Sequence, residues 1–131
     1  MTSFISHTTV DCSDAYALSR WWSTVLDYRE DAEDPNEPGH EECMIHSADG
    51  AQRLLFIEVP EAKGTKNRMH LDLRPVQGDR DDELQRLLGL GAEQLQDLRR
   101  PDGSGWVVLA DPEGNEFCIL RSEAEIASPA D

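Results

Sequence analysis

Two short stretches hold side chains whose types and spacing suit chemistry. His70 and Asp72 alternate with Met69, Leu71 and Leu73, so a strand there sets an imidazole and a carboxylate on one face beside Arg68. Glu116 and Cys118 share a face in the same way, about 6.6 Å apart along their strand. Imidazole and carboxylate groups can pass a proton or hold a metal ion, and a thiol binds metal as the thiolate. Glu58 ends a third apolar run and His7 stands in a first one. Each has a plainer reading. His7 suits a hydrogen-bonded structural histidine, His70 with Asp72 a polar network, and Cys118 a small buried side chain. Glu116 suits an ion pair with Arg68 or Arg74. No Gly-rich phosphate loop, nucleophile elbow or Cys-x-x-Cys motif occurs, which removes the usual support for nucleotide cofactors and for those chemistries.

These residues need elements to position them. Phe4 to Cys12 holds Ile5, Thr8, Thr9 and Val10 and reads as a strand. Ser13 and Asp14 offer N-caps for a helix whose stripe is Leu18, Trp21, Trp22, Val25 and Leu26. Asp27 to Asp34 reads as a short polar strand or edge, followed by a breaker from Pro35 to Gly39. Glu42 to Ser47 and Gln52 to Val59 read as strands around a turn at Ala48-Asp49-Gly50. The polar segment Pro60 to Asn67 is the best internal boundary. After it the plan restarts. Arg68 to Arg74 is a strand, Asp79 caps a helix with stripe Leu84, Leu87 and Leu88, and Gly89 and Gly91 end it. Ala92 to Leu98 is a strand, and Trp106 to Leu120 a hairpin turning at Asp111-Pro112-Glu113-Gly114-Asn115. Each half therefore reads β-α-β-β-β, and His7-Thr8-Thr9-Val10-Asp11-Cys12 opens the first as His70-Leu71-Asp72-Leu73-Arg74-Pro75 opens the second.

The 131 residues suit one domain with a real core. Twelve Lys and Arg face 27 Asp and Glu, a formal net charge of −15, so neither a phosphate backbone nor an anionic membrane surface is an expected partner. No apolar run is long enough to cross a bilayer. The N-terminus lacks the basic and apolar regions of a secretory signal, and three cysteines without zinc-type spacing suit reduced thiols. The expectation is a cytoplasmic protein.

The Asp111–Asn115 turn between two strands resembles the signature of the glyoxalase/bleomycin-resistance/dioxygenase proteins, the vicinal oxygen chelate superfamily. The resemblance extends from about Phe4 to Arg121. Lys66 to Leu73, Gly105-Trp106 and Gly114 to Cys118 are similar to its glyoxalase-like domain subgroup. It implies an α+β fold in which two βαβββ modules form a curved mixed sheet around a cup. The glyoxalase-like domain would span 1–121, with module one at about 4–59, a linker at 60–67 and module two at about 68–121, leaving 122–131 as a flexible tail. The resemblance also implies a small-molecule ligand in the cup, with His70, Glu116 and Cys118 as ligand-binding residues, and a homodimer. Carried over by position, the family's metal ligands fall on His7, Glu58 and His70, and its carboxylate base on Glu116. Where the family carries a fourth, glutamate ligand, four residues after the turn glycine, this chain has Cys118. The fourth ligand is therefore missing unless Cys118 or Glu116 supplies it. One divalent ion (Zn, Mn, Fe or Ni) is implied, with weak or absent binding expected. Two functions follow from the resemblance. One is metal-assisted isomerase or lyase chemistry next to a carbonyl, or dioxygenase chemistry with iron. The other is metal-free binding, or drug sequestration of the bleomycin-resistance type.

Overall fold

The computed structural model describes residues 2–128. It divides into two compact units, Met1–Lys63 and Gly64–Asp131, and both are α+β.

The first unit runs β1 (Thr8–Cys12), α1 (Ala15–Leu26), β2 (Glu42–His46) and β3 (Arg53–Glu58). Its sheet has the order β1-β3-β2, with β1 parallel and β2 antiparallel to β3. The Asp14 side chain caps α1 by accepting from Ala17 N at 3.0 Å, and Asp27 ends it in the left-handed region at φ 55°. Leu18, Trp22 and Val25 are buried, as are Cys43, Ile45, Leu54 and Phe56 on the strands, which is the helix-to-sheet packing that the stripe of α1 predicts. Phe56 is fully buried. Burial of a side chain of that size contributes about 1.5–3 kcal/mol.

Two expectations for this unit are corrected. The polar strand expected over Asp27–Asp34 is a single bridge, in which Arg29 and His46 exchange backbone hydrogen bonds of 2.8 Å. Five of the eight residues in that stretch are acidic, and such residues disfavour a pleated, half-buried strand. The first strand begins at Thr8 rather than Phe4, and Phe4 and Ile5 are exposed. Thr8 pairs with Leu54 near the start of β3, so the sheet provides no ladder for earlier residues.

The second unit runs β4 (Leu71–Leu73), α2 (Arg80–Gly89), β5 (Glu93–Asp97), β6 (Val107–Ala110), β7 (Glu116–Ile119) and α3 (Glu123–Ala127). The sheet order is β4-β7-β6-β5, with β4 parallel to β7 and the remaining pairs antiparallel. Asp79 caps α2 by accepting from Asp82 N at 2.8 Å, and Asp81, Asp82 and Glu83 complement the positive end of its dipole. The β6–β7 turn is built on Asp111, a buried carboxylate that accepts from Glu113 N and Asn115 N at 2.9 and 3.0 Å. Gly114 turns there at φ 87°.

The expected strand Arg68–Arg74 contracts to Leu71–Leu73, which pair with Phe117 to Ile119, while the approach to it is held by Asn67 N on the Glu116 side chain instead of by a ladder. The tail expected to be flexible from 122 is instead helical over Glu123–Ala127. A capping box makes the difference. Ser122 Oγ accepts from Glu125 N, the Glu125 carboxylate accepts from Ser122 N, and the same carboxylate takes Arg80 N at 2.7 Å. The rest of that tail, 129–131, lies outside the described residues.

Gly105 marks where backbone freedom is indispensable. Its φ is 88°, and an added Cβ would lie 2.1 Å from Leu98 O. Gly105→Ala is expected to lose about 2–4 kcal/mol in urea unfolding. Gly50→Ala has open space around it and should lose only about 1 kcal/mol, the left-handed backbone cost alone. Equal losses for the two variants would contradict this account of the β5–β6 loop.

Candidate functional site

Register decides what the second sheet displays. Leu71 pairs with Phe117, Asp72 with Cys118 and Leu73 with Ile119. Alternation puts Val107, Leu109, Phe117 and Ile119 on one face, all 0–1% exposed, and α2 packs against β7. The opposite face receives Asp72 and Cys118 directly abreast. One step back along the same two strands come His70 and Glu116.

On that face His70 Nε2 lies 3.4 Å from Asp72 Oδ1. One ligand atom from each of His70, Asp72 and Cys118 falls within 4.8 Å of the others. The imidazole and carboxylate are exposed and the thiol is buried. Glu116 is tied into the approach to β4, since its Oε2 accepts from Asn67 N at 3.0 Å and Asn67 Nδ2 donates to Asn115 Oδ1 at 3.2 Å. Thr65, Lys66, Asn67 and Arg68 line a concavity on this approach.

The thiol is no ready nucleophile. Burial pushes Cys118 up to about 11, the Asp72 charge and the hydrogen bond to Asp72 push the same way, and Lys66 opposes them. Near neutral pH roughly one molecule in ten thousand would carry the thiolate. A Cys-His-Asp reading of these three residues as a hydrolytic triad therefore fails on electrostatics, because the carboxylate faces the thiol and holds its proton in place.

The donor set does suit a metal ion. Ligand bonds of about 2.0–2.3 Å need donor atoms roughly 3–4 Å apart, so atoms already within 4.8 Å need only small side-chain adjustments. An imidazole, a carboxylate and a sulfur together suit borderline ions such as zinc, and the exposed sides of His70 and Asp72 leave room for further ligands.

The residues assigned from sequence divide accordingly. His70, Glu116 and Cys118 come together on one face of the second unit. Asp72 joins them and was not among the assigned ligands. Its signal was available in the two-residue spacing from His70, but only the pairing with Cys118 shows it to be a neighbour of the thiol. His7 and Glu58 belong to the first unit and are far apart within it. Glu58 pairs with Cys12, five residues along from His7, a separation of about 16 Å along the strands. Glu58 Oε2 accepts from Ala15 N at 3.1 Å, at the first residue of α1, where a carboxylate satisfies an orphan donor and the helix dipole. The exposed His7 accepts or donates through Nδ1 to Ser6 Oγ at 2.9 Å.

The fold is that of the vicinal oxygen chelate superfamily. Among solved structures, the chain is similar to the fosfomycin resistance protein FosX of Listeria monocytogenes, complexed with Mn(II) and sulfate. The TM-score is 0.68 at 18% identity, over 95% of this chain and 94% of that one. FosX from Mesorhizobium loti gives 0.66 at 18% identity over 98% of both chains. A glyoxalase/bleomycin resistance protein/dioxygenase family enzyme from Burkholderia phytofirmans gives 0.67 at 20% identity, over 89% of this chain and 97% of that one. No curated protein matches the chain significantly. The model of the glyoxalase-like domain matches residues 7–120. The chain belongs to the glyoxalase-like domain family. Among the described residues, no helix is long and apolar enough to cross a membrane.

The raised thiol gives a direct check. Alkylation of Cys118 by iodoacetamide, followed by peptide mass spectrometry, should accelerate about tenfold per pH unit between pH 7 and 10. Asp72→Asn should accelerate it at every pH in that range by lowering the thiol pKa. Because the folded state holds this proton more tightly than an ordinary thiol, its stabilising contribution is complete below the ordinary value of 9.0 and is lost as pH rises towards 11. A rate in Asp72→Asn no faster than in the unaltered protein would refute the thiol–carboxylate contact.

Proposed function

We propose that this chain binds and modifies a small molecule on the open face of its second sheet, with a divalent transition-metal ion held by His70, Asp72 and Cys118. The observation that carries the reading is the gathering of those three donor atoms on paired strands. When bound, such an ion polarises a substrate oxygen. Glu116, one step along the same face from Cys118, is the carboxylate assigned to take a proton next to the substrate carbonyl, in isomerase or lyase chemistry. Asn67 N–H on one of its oxygens orients it. Manganese in the Listeria FosX complex supports a metal in a protein of this fold.

A second reading has its own support. Cys118 holds its proton tightly, and a metal must displace that proton to bind sulfur. On this reading the chain is a metal-free binding protein, a drug-sequestration protein of the bleomycin-resistance kind. Metal analysis of untagged protein, with calorimetric titration of Zn(II) and Mn(II), separates the two. The metal reading expects substoichiometric metal on isolation but saturable binding on titration. Affinity should fall about tenfold or more in His70→Ala and Cys118→Ser and stay unchanged in His40→Gln on the exposed surface. Absence of saturable binding in the unaltered protein would reject the metal and leave the metal-free reading.

The proposed assembly is a homodimer, supported by the edge strands on which each sheet ends, such as β1 and β4, which association commonly covers. Sedimentation at micromolar concentration should show twice the chain mass. A species of single-chain mass throughout would reject the dimer.

A further inference from the structure

The chain's few positive charges are unevenly placed. The strand ends at Leu73, Asp97, Val107 and Ile119 all lie at one end of the second sheet, as the pairings of β4, β7, β6 and β5 require. Arg74, Arg80, Arg99, Arg100 and Arg121 cluster there, five of the twelve basic residues in a chain of net charge −15. Arg99 is neutralised, at 2.6 Å from Asp81 and 2.7 Å from Asp97. Its hydrogen bonds hold the Asp97 carboxyl down to about 2.

The other four are not paired so closely. Arg74 Nη1 donates to Arg121 O at 2.8 Å. The Arg121 guanidinium lies beside Gly103. The Arg100 guanidinium stands 6.0 Å from the centre of the Trp106 ring. Arg80 is 6% exposed, donates to Gly105 O and Gly103 O at 3.1 and 3.2 Å, and keeps a buried Nε with no hydrogen-bond partner. Among the described residues none of the four forms an ion pair. The acids close by are held by neutral donors and keep their charge. The Ser104 hydrogen bonds lower the Asp102 carboxyl, and Arg100 and Arg121 help from beyond ion-pair distance. Asp102 Oδ1 is taken by Ser104 N and Ser104 Oγ, at 2.9 and 2.5 Å, and Glu125 Oε1 by Arg80 N and Ser122 N.

Guanidinium groups are planar forks that match oxyanions. A buried, incompletely bonded one is costly unless negative charge compensates it. Arg80 pins the loop through the Gly103 and Gly105 carbonyls, which reduces the backbone ordering that binding must impose. We propose that Arg74, Arg100 and Arg121, around the Asp102–Ser104 loop, form an anion-binding subsite for the carboxylate or phosphate group of a small molecule. Trp106 offers a half-buried ring beside that group, so the ligand class is a small organic anion. The subsite is independent of the metal at His70, and either can fail while the other stands.

Titration with inorganic phosphate and, separately, with acetate tests it, followed by the Trp106 indole N–H and arginine Nε–H resonances of the whole chain. Sodium chloride serves as the control for screening. Saturable shifts with either oxyanion are expected, and the tighter one identifies the preferred group. Arg74→Gln and Arg121→Gln should each weaken binding roughly tenfold, Arg100→Gln should weaken it as well, and Arg53→Gln in β3 should not. Arg100 is exposed, so its variant keeps the test valid if another fails to fold. Shifts that chloride reproduces, or unchanged affinity in all three variants, would overturn the proposal. Zinc binding that survives such a result would leave the His70 reading intact.

Discussion

The parallel pairing of β4 with β7 is the contact on which the candidate site depends. It spans three residues, and it joins segments about 46 positions apart. Its ends are reinforced by Leu120 N to Leu73 O at 2.8 Å and by Asn67 N to Glu116 at 3.0 Å. A slip of one residue would bring Leu71 or Leu73 abreast of the thiol and turn Asp72 away. So short a ladder holds its register because Phe117 and Ile119 have a buried face to fill, while the carboxylate at 72 has none to accept it. The apolar side of the sheet thus fixes what the polar side displays.

The acidic composition also has a structural outlet. Asp14, Glu58, Asp79, Asp111, Glu116 and Glu125 all accept from backbone N–H groups, at helix starts, at the β6–β7 turn or at the approach to β4. Helix N-termini and turns present donors that lack partners, and a carboxylate satisfies them with charge in hand. This explains why Glu58, a candidate metal ligand when judged by position, is engaged at the start of α1.

Most of the element plan was legible from local signals. Asp14 and Asp79 as caps, the stripe of α1, and the Asp111–Asn115 turn are decided by neighbours in sequence, and they appear as the pattern requires. What escaped depends on partners elsewhere in the chain. β4 is confined to the residues that pair with β7, Phe4 and Ile5 lack a ladder because β3 begins too late, and the polar stretch after α1 retains one bridge. Ser122 and Glu125 carried the letters of a capping box that marks α3, but the hold of Glu125 on Arg80 N joins residues 45 positions apart and leaves no local signal. At the site, alternation alone put His70 with Asp72 and Glu116 with Cys118. Joining the two pairs required the register, and separating His7 from Glu58 did too.

The outer edge of the second sheet constrains how copies of the chain could meet. Every residue of β5 is exposed, two of its five are acidic, and its register with β6 shifts between Gln94 and Gln96. A bulge breaks the even spacing that an incoming strand would need, and like charges would face each other across the new seam. Growth of the sheet into an open-ended ribbon is therefore disfavoured at this edge. Any two-fold contact made elsewhere would close on a finite particle instead of a fibre.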